Sequence, residues 1–189
     1  WLQKINDMLA RMHELSVEAG DGTKTTQDIT NIQSEFKELQ SEIVRITDGA
    51  SSAAKFNGLF LFRGGDGRAN LNTDTAGVSI QIGADLGMKV KIDLKQLDTK
   101  SAESLTYTKA DGTDGTVTWS TVITSASTMS VRSTDVIGKV SAAIDHVANS
   151  RATLGAQQSR LHHTQSGLLA YEDNLRTAES KIRDVDVAK

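Results

Sequence analysis

The chain has no cysteine, no proline and only 4% aromatic residues among its 189. Without thiols there is neither a disulfide framework nor a thiolate metal or redox centre, which fits a reduced compartment or an exported protein that travels without cross-links. Globular enzymes usually punctuate their loops with proline and fill a compact core with rings, so the shortage of both points to long helices. A formal net charge of −3, with 21 basic residues scattered among 24 acidic ones, leaves no basic stripe to follow a phosphate backbone, and nucleic acid is excluded as a partner. No apolar run reaches the roughly 18 residues that a membrane-spanning helix needs. The opening residues also lack the charged, then apolar, then small-residue order of a cleavable signal.

What is present is period. Val147, Leu154, Leu161, Leu168, Leu175 and Ile182 follow Val140 at a step of seven, the seam of a helix that supercoils against partners. The positions four residues on from each begin with Ile144 and Arg151 but then carry Gln158, Gln165, Glu172 and Glu179, so the seam is narrow. One helix from about Thr134 to Ala188 is expected, on the order of 80 Å long. The first third repeats the theme. Leu2, Ile5, Leu9, Met12 and Ala19 share a helical face, and Ile29, Ile32, Phe36, Leu39, Ile43 and Ile46 alternate steps of three and four. Gly20 and Gly22 suit the end of the first helix, and Thr26 or Asp28 suits the cap of the second.

The middle changes character. Val78, Ile80 and Ile82, then Val90, Ile92 and Leu94, alternate about a glycine-containing turn, and "LTYTKADGTDGTVTWSTV" does so about Asp111 to Gly115. Two β-hairpins are predicted. The fold class is therefore mainly α: an elongated antiparallel helical bundle or coiled coil, two N-terminal helices plus one long C-terminal helix, with a small β-hairpin region between. The organisation reads as one domain: helices over 1–60, a hairpin over 61–98, a short variable insertion over 99–130 and the long helix over 131–189.

No catalytic or metal site is legible. Adjacent residues on a helix point about 100° apart, so His162 and His163 cannot meet on one metal, and neither has a histidine four residues away. The loop Phe62 to Gly77 has glycines, arginines and acids but neither the Gly-Lys-Ser/Thr ending of a phosphate loop nor the closing glutamate of a calcium loop. Glu35, Glu38, Glu42, Glu172, Asp173 and Glu179 lie at helical spacing beside Lys and Arg, as on a solvated, ion-paired face. No Gly-x-Ser-x-Gly occurs. The chain reads as a non-enzyme without a cofactor.

Six stretches carry a resemblance: "LARMHELSVEAGDGT", "NIQSEFKELQSEIVRI", "KFNGLFLF", "SIQIGADLGMKVKIDLKQL", "RATLGAQQSRLHHT" and "SKIRDVDVAK". In this order and spacing they resemble the helical core of bacterial flagellin, apart from about residues 99 to 130, and "IRDVDVAK" is similar to spirochaete flagellins. The segment "TDGASSAAK" makes this chain about one helical turn longer than the usual pattern, so the second helix runs on or breaks at Gly49.

The resemblance implies a structural subunit of the flagellar filament that serves motility, placed in the extracellular flagellum, or in a periplasmic one if the lineage is spirochaete. The runner-up is a hook-filament junction protein of the same family; a coiled-coil adhesin would share the heptads alone. The implied partners are other flagellin subunits and, for the full-length protein, an export chaperone and cap proteins. The chain opens within a helical pattern at Trp1 and stops uncapped at Lys189, so the family's terminal segments, which drive polymerisation and carry the export signal, are expected beyond it. A further implied partner is the vertebrate Toll-like receptor for flagellin. Leu9, Arg11, Glu14 and Leu15 on the first helix and Glu35 on the second match the segments that the receptor reads, with Arg11 and Leu15 expected on an outer face, whereas Ala10 and His13 replace the usual glutamine and arginine.

Overall fold

The computed structural model describes residues 1–48, 53–62, 78–83, 87–92, 94–124 and 129–185. They form α1 (Leu2–Ala19), α2 (Thr26–Thr47), β1 (Lys55–Phe56), β2 (Leu59–Phe60), β3 (Val78–Gln81), β4 (Lys89–Ile92), a 3₁₀ turn (Lys95–Leu97), β5 (Ser104–Thr108), β6 (Asp114–Thr118), α3 (Trp119–Thr124) and α4 (Val136–Val185). The strands make three two-stranded sheets, β1-β2, β3-β4 and β5-β6. The fold is thus mainly helical with a 50-residue C-terminal helix, as the heptads predict. Gly49, the loop 63–77 and the last residues 186–189 lie outside the described residues.

The sequence reads as one domain, whereas the described residues cluster into two compact units. One comprises Trp1–Val78 and Asp93–Ala152, the other Ser79–Ile92 and Thr153–Lys189, so α4 contributes to both.

In the first unit α1 and α2 pack antiparallel. Lys4 pairs with Glu42 and Arg11 with Glu35, so seven residues forward on α1 match seven residues back on α2. The helices meet along Ile5, Leu9, Met12 and Leu15 on α1 and Ile32, Phe36, Ile43 and Ile46 on α2, all buried in one core cluster. The start of α2 is fixed by Thr25 rather than by Thr26: the Thr25 hydroxyl accepts from the Asp28 N–H and the Asp28 carboxylate accepts from the Thr25 N–H, a reciprocal cap that satisfies two otherwise orphaned donors. Asp28 therefore serves as the cap's partner.

The described residues of the segment read from sequence as a variable insertion, 99–124 and 129–130, contribute to this core. β5 and β6 pair from Ser104↔Thr118 to Thr108↔Asp114. Their turn spans residues 109–113, two residues before the expected Asp111 to Gly115, and residues 119–122, expected to continue the strand, instead open α3. Leu105, Tyr107, Val117, Trp119, Val122, Ile123 and Met129 join the core cluster together with Val136, Val140 and Val147 of α4. Trp119 anchors it: the indole is fully buried, donates from Nε1 to the Leu97 carbonyl at 3.0 Å and lies against the His146 ring at 5.5 Å.

Two details were hidden from the periodicity. Gln33 and Gln40, seven apart on α2, hold backbone from the C-terminal half: Gln33 donates to Met129 O and accepts from Val131 N, and the buried Gln40 donates to Val122 O at 2.7 Å. The only cue was their shared helical row beside the apolar seam. Gly138 lets the first turns of α4 meet β5, because a Cβ there would lie 2.9 Å from Thr108 O and 3.0 Å from Tyr107 Cδ2. A backbone carbonyl cannot swing aside, so Gly138→Ala is expected to lower stability by about 1–3 kcal/mol despite alanine's better helix propensity. Urea unfolding checks this; a stabilised variant would show that α4 shifts freely.

In the second unit, β3 and β4 are closed by Ile82 N–H donating to Met88 O at 2.8 Å, and Gln157 of α4 donates from Nε2 to Lys91 O at 3.1 Å. No helix among the described residues is long and apolar enough to cross a membrane.

Candidate functional site

The absence of a legible catalytic motif makes surfaces the candidates, and two stand out. The first lies across α1 and α2. Arg11 donates from Nε to Glu35 at 2.7 Å and from Nη1 to Glu14 at 3.1 Å, all three side chains being about half exposed or more. The antiparallel register explains the cluster: it sets positions 11 and 35 opposite each other, while Glu14 is three residues on from Arg11 along the same helix. Glu35 and Glu14 hold the guanidinium well above its usual range, chiefly through the Glu35 bond.

The two leucines grouped with Arg11 in the sequence reading do not share this surface. Leu9 and Leu15 are buried in the core, which corrects the expectation that Leu15 projects beside Arg11. The reason is helical geometry: Leu15 is three residues from Met12 and falls on the row of Met8, Met12 and Ala19 that faces α2.

One row further along, Glu42 bridges the helices, accepting from Arg45 at 2.6 Å and 2.7 Å and from Lys4 at 2.9 Å. Arg45, then Lys4, lower its carboxyl from 4.5 to about 2. Ionised Glu42 therefore stabilises the fold fully above pH 4.5, and the contribution is lost as the pH falls toward 2. At this exposure it amounts to less than about 1 kcal/mol. Glu42→Gln should be less stable than the parent at neutral pH and equal to it near pH 2, as thermal midpoints across that range would show.

The second surface is the far part of α4. Along one heptad repeat Val147 is buried, Leu154 and Leu161 are half-buried, and Leu168, Leu175 and Ile182 are 44%, 51% and 77% exposed. On α2 the matching seam residues Ile32, Phe36 and Ile43 are buried and Leu39 is half-buried. Leu169 and Tyr171 widen the exposed stripe. Within the same unit an apolar groove of about 270 Å³ runs between Gln81 and Ile82 of the hairpin and Leu161, Leu168 and Leu169 of the helix. His162 and His163 are exposed on α4.

Comparison with known proteins bears on both surfaces. Residues 1–66 match the family model described as the bacterial flagellin N-terminal helical region, and residues 137–189 match the bacterial flagellin C-terminal helical region. The Bacillus subtilis protein YvzB, named as a candidate flagellin, is 36% identical over 148 residues, covering 78% of this chain and 77% of its own length. This chain belongs to the bacterial flagellin family. Flagellin FlaB2 of Treponema pallidum is 34% identical over the whole of this chain, and the flagellin of Bacillus subtilis is 35% identical over it. The chain spans 61% and 63% of the length of these two relatives. In three dimensions, FliC of Burkholderia pseudomallei covers 87% of the chain and 95% of its own length at a TM-score of 0.51 and 15% identity, which supports the fold alone. The flagellin family is one of structural proteins. Both family matches fall on the helical ends, and the two surfaces lie within them: Arg11, Glu14 and Glu35 in the first match, the exposed stripe in the second.

Proposed function

We propose that this chain forms the helical core of a structural subunit of the bacterial flagellar filament, working outside the cytoplasmic membrane in motility. The carrying observation is the heptad repeat of α4, which continues past the buried Val147 into solvent at Leu168, Leu175 and Ile182. A stripe of that length suits a polymer in which further helices cover it, since isolated soluble chains seldom expose contiguous apolar surface. Relatives named flagellin or filament core protein, such as the 33 kDa core protein of Treponema phagedenis at 32% identity, favour a filament subunit over a hook-filament junction adaptor. The partners are then other flagellin subunits, with an export chaperone and cap proteins acting on the full-length protein. The test is electron microscopy of the purified full-length protein: helical filaments support the reading, and a protein that only caps a hook end refutes it.

A second reading concerns the Arg11 cluster as a surface for the vertebrate Toll-like receptor for flagellin. The Glu14 and Glu35 bonds preorganise the guanidinium, whose planar fork of donors suits carbonyls or carboxylates of a partner. Arg11→Ala should then weaken binding to the receptor's ectodomain by about 2 kcal/mol at unchanged helicity, as for an interface anchor. Equal binding of parent and variant, measured by surface plasmon resonance, would remove Arg11 from the contact.

A further inference from the structure

The turn between β1 and β2 carries chemistry that the filament role does not use. Phe56 pairs with Leu59, leaving Asn57 and Gly58 as a two-residue loop with φ of 49° and 77°. Positive φ at both central residues is the signature of a type I′ turn, the geometry that favours Asn-Gly. It is the single Asn-Gly pair in the sequence. Both residues are exposed, and nothing lies within 4 Å of the position that a Gly58 side chain would take. Among the described residues neither the Asn57 carboxamide nor the Gly58 N–H has a hydrogen-bond partner.

We propose that Asn57-Gly58 is a site of spontaneous deamidation through a succinimide. The Gly58 nitrogen attacks Asn57 Cγ, the N–Cγ bond forms, the Cγ–Nδ2 bond breaks, and ammonia leaves with the proton that the Gly58 nitrogen gave up. Solvent water then opens the imide at either carbonyl, leaving aspartate or isoaspartate, with no oxidation or reduction. Three features favour the step here. The nucleophile gives up no hydrogen bond, the leaving amide is untethered, and Gly58 offers no Cβ to obstruct ring closure.

The other asparagines among the described residues are restrained. Asn6, Asn31, Asn149 and Asn174 lie within helices, where the following N–H is committed to the backbone ladder. At the chemically related Asp21-Gly22 and Asp111-Gly112 the carboxylates accept from the N–H groups of Thr23 and Thr113. The consequence is structural as well as electrostatic. Isoaspartate adds a methylene to the backbone and a negative charge, so a two-residue turn no longer spans the strands and the Lys55↔Phe60 pair is lost beside the buried Phe60 and Phe62.

Folded protein held at mildly alkaline pH, digested and mapped by mass spectrometry, tests this, with labelling by an isoaspartyl methyltransferase and with Asn57→Gly as the control that keeps a turn-competent pair. The expected result is amide loss at residue 57 faster than at Asn149 or Asn174, isoaspartate in the same peptide, and an acidic band on isoelectric focusing that Asn57→Gly abolishes at unchanged circular dichroism. Retention of the amide in buffer, or its loss only in urea, would overturn the proposal.

Discussion

Trp119→Ala is expected to destabilise the first unit by about 3–5 kcal/mol, much of what a domain of this size possesses. The indole is fully buried between the 3₁₀ turn and α4, and it satisfies the Leu97 carbonyl through Nε1. Removing it opens a cavity bordered by His146 and leaves that carbonyl unpaired, two separate losses at one position. The surrounding contacts cannot close the gap, because Trp119 is covalently next to β6 and its own N–H donates to Glu103 O at 3.0 Å. Trp1→Ala supplies the control. That ring is 48% exposed, and its loss should cost within about 0.5 kcal/mol. Urea unfolding by far-UV circular dichroism compares the two; equal small losses would mean that residues 99–130 decorate the core without supporting it.

The paired substitution Leu168→Ser and Leu175→Ser should act the opposite way, sparing the fold and weakening assembly. Both side chains are about half exposed, so in the unassembled chain the change is nearly neutral. If the stripe is covered in the filament, each leucine forfeits about 1.5 kcal/mol or more of apolar burial. Together they come to about 3 kcal/mol, a rise of roughly a hundredfold in the concentration needed for growth. Light scattering of the full-length protein during polymerisation checks this, alongside an unchanged urea midpoint. Normal growth of the double variant would remove the stripe from the assembly surface.

These contrasts also separate what was legible in the sequence from what was not. The helices α1, α2 and α4 and the hairpins β3-β4 and β5-β6 were legible because a period of 3.6 or 2 is a property of the local backbone and survives whatever packs on it. Composition predicted the mainly helical class for the same reason. The pairing of Arg11 with Glu35 was approachable, since heptad registers on adjoining helices bring such positions opposite each other. Burial is a different kind of quantity. Val147 and Ile182 occupy equivalent heptad positions, yet one is buried and the other 77% exposed, because coverage depends on which neighbour reaches each turn of the helix. The same dependence placed Leu15 in the core rather than beside Arg11, turned Gln40 into a buried clasp for α3, and drew β5, β6 and α3 into the centre around Trp119. The sequence alone determined α1, α2 and α4, the hairpins β3-β4 and β5-β6, and the family; the tertiary structure alone decided which faces are covered, since covering joins residues far apart in the chain that no local period connects.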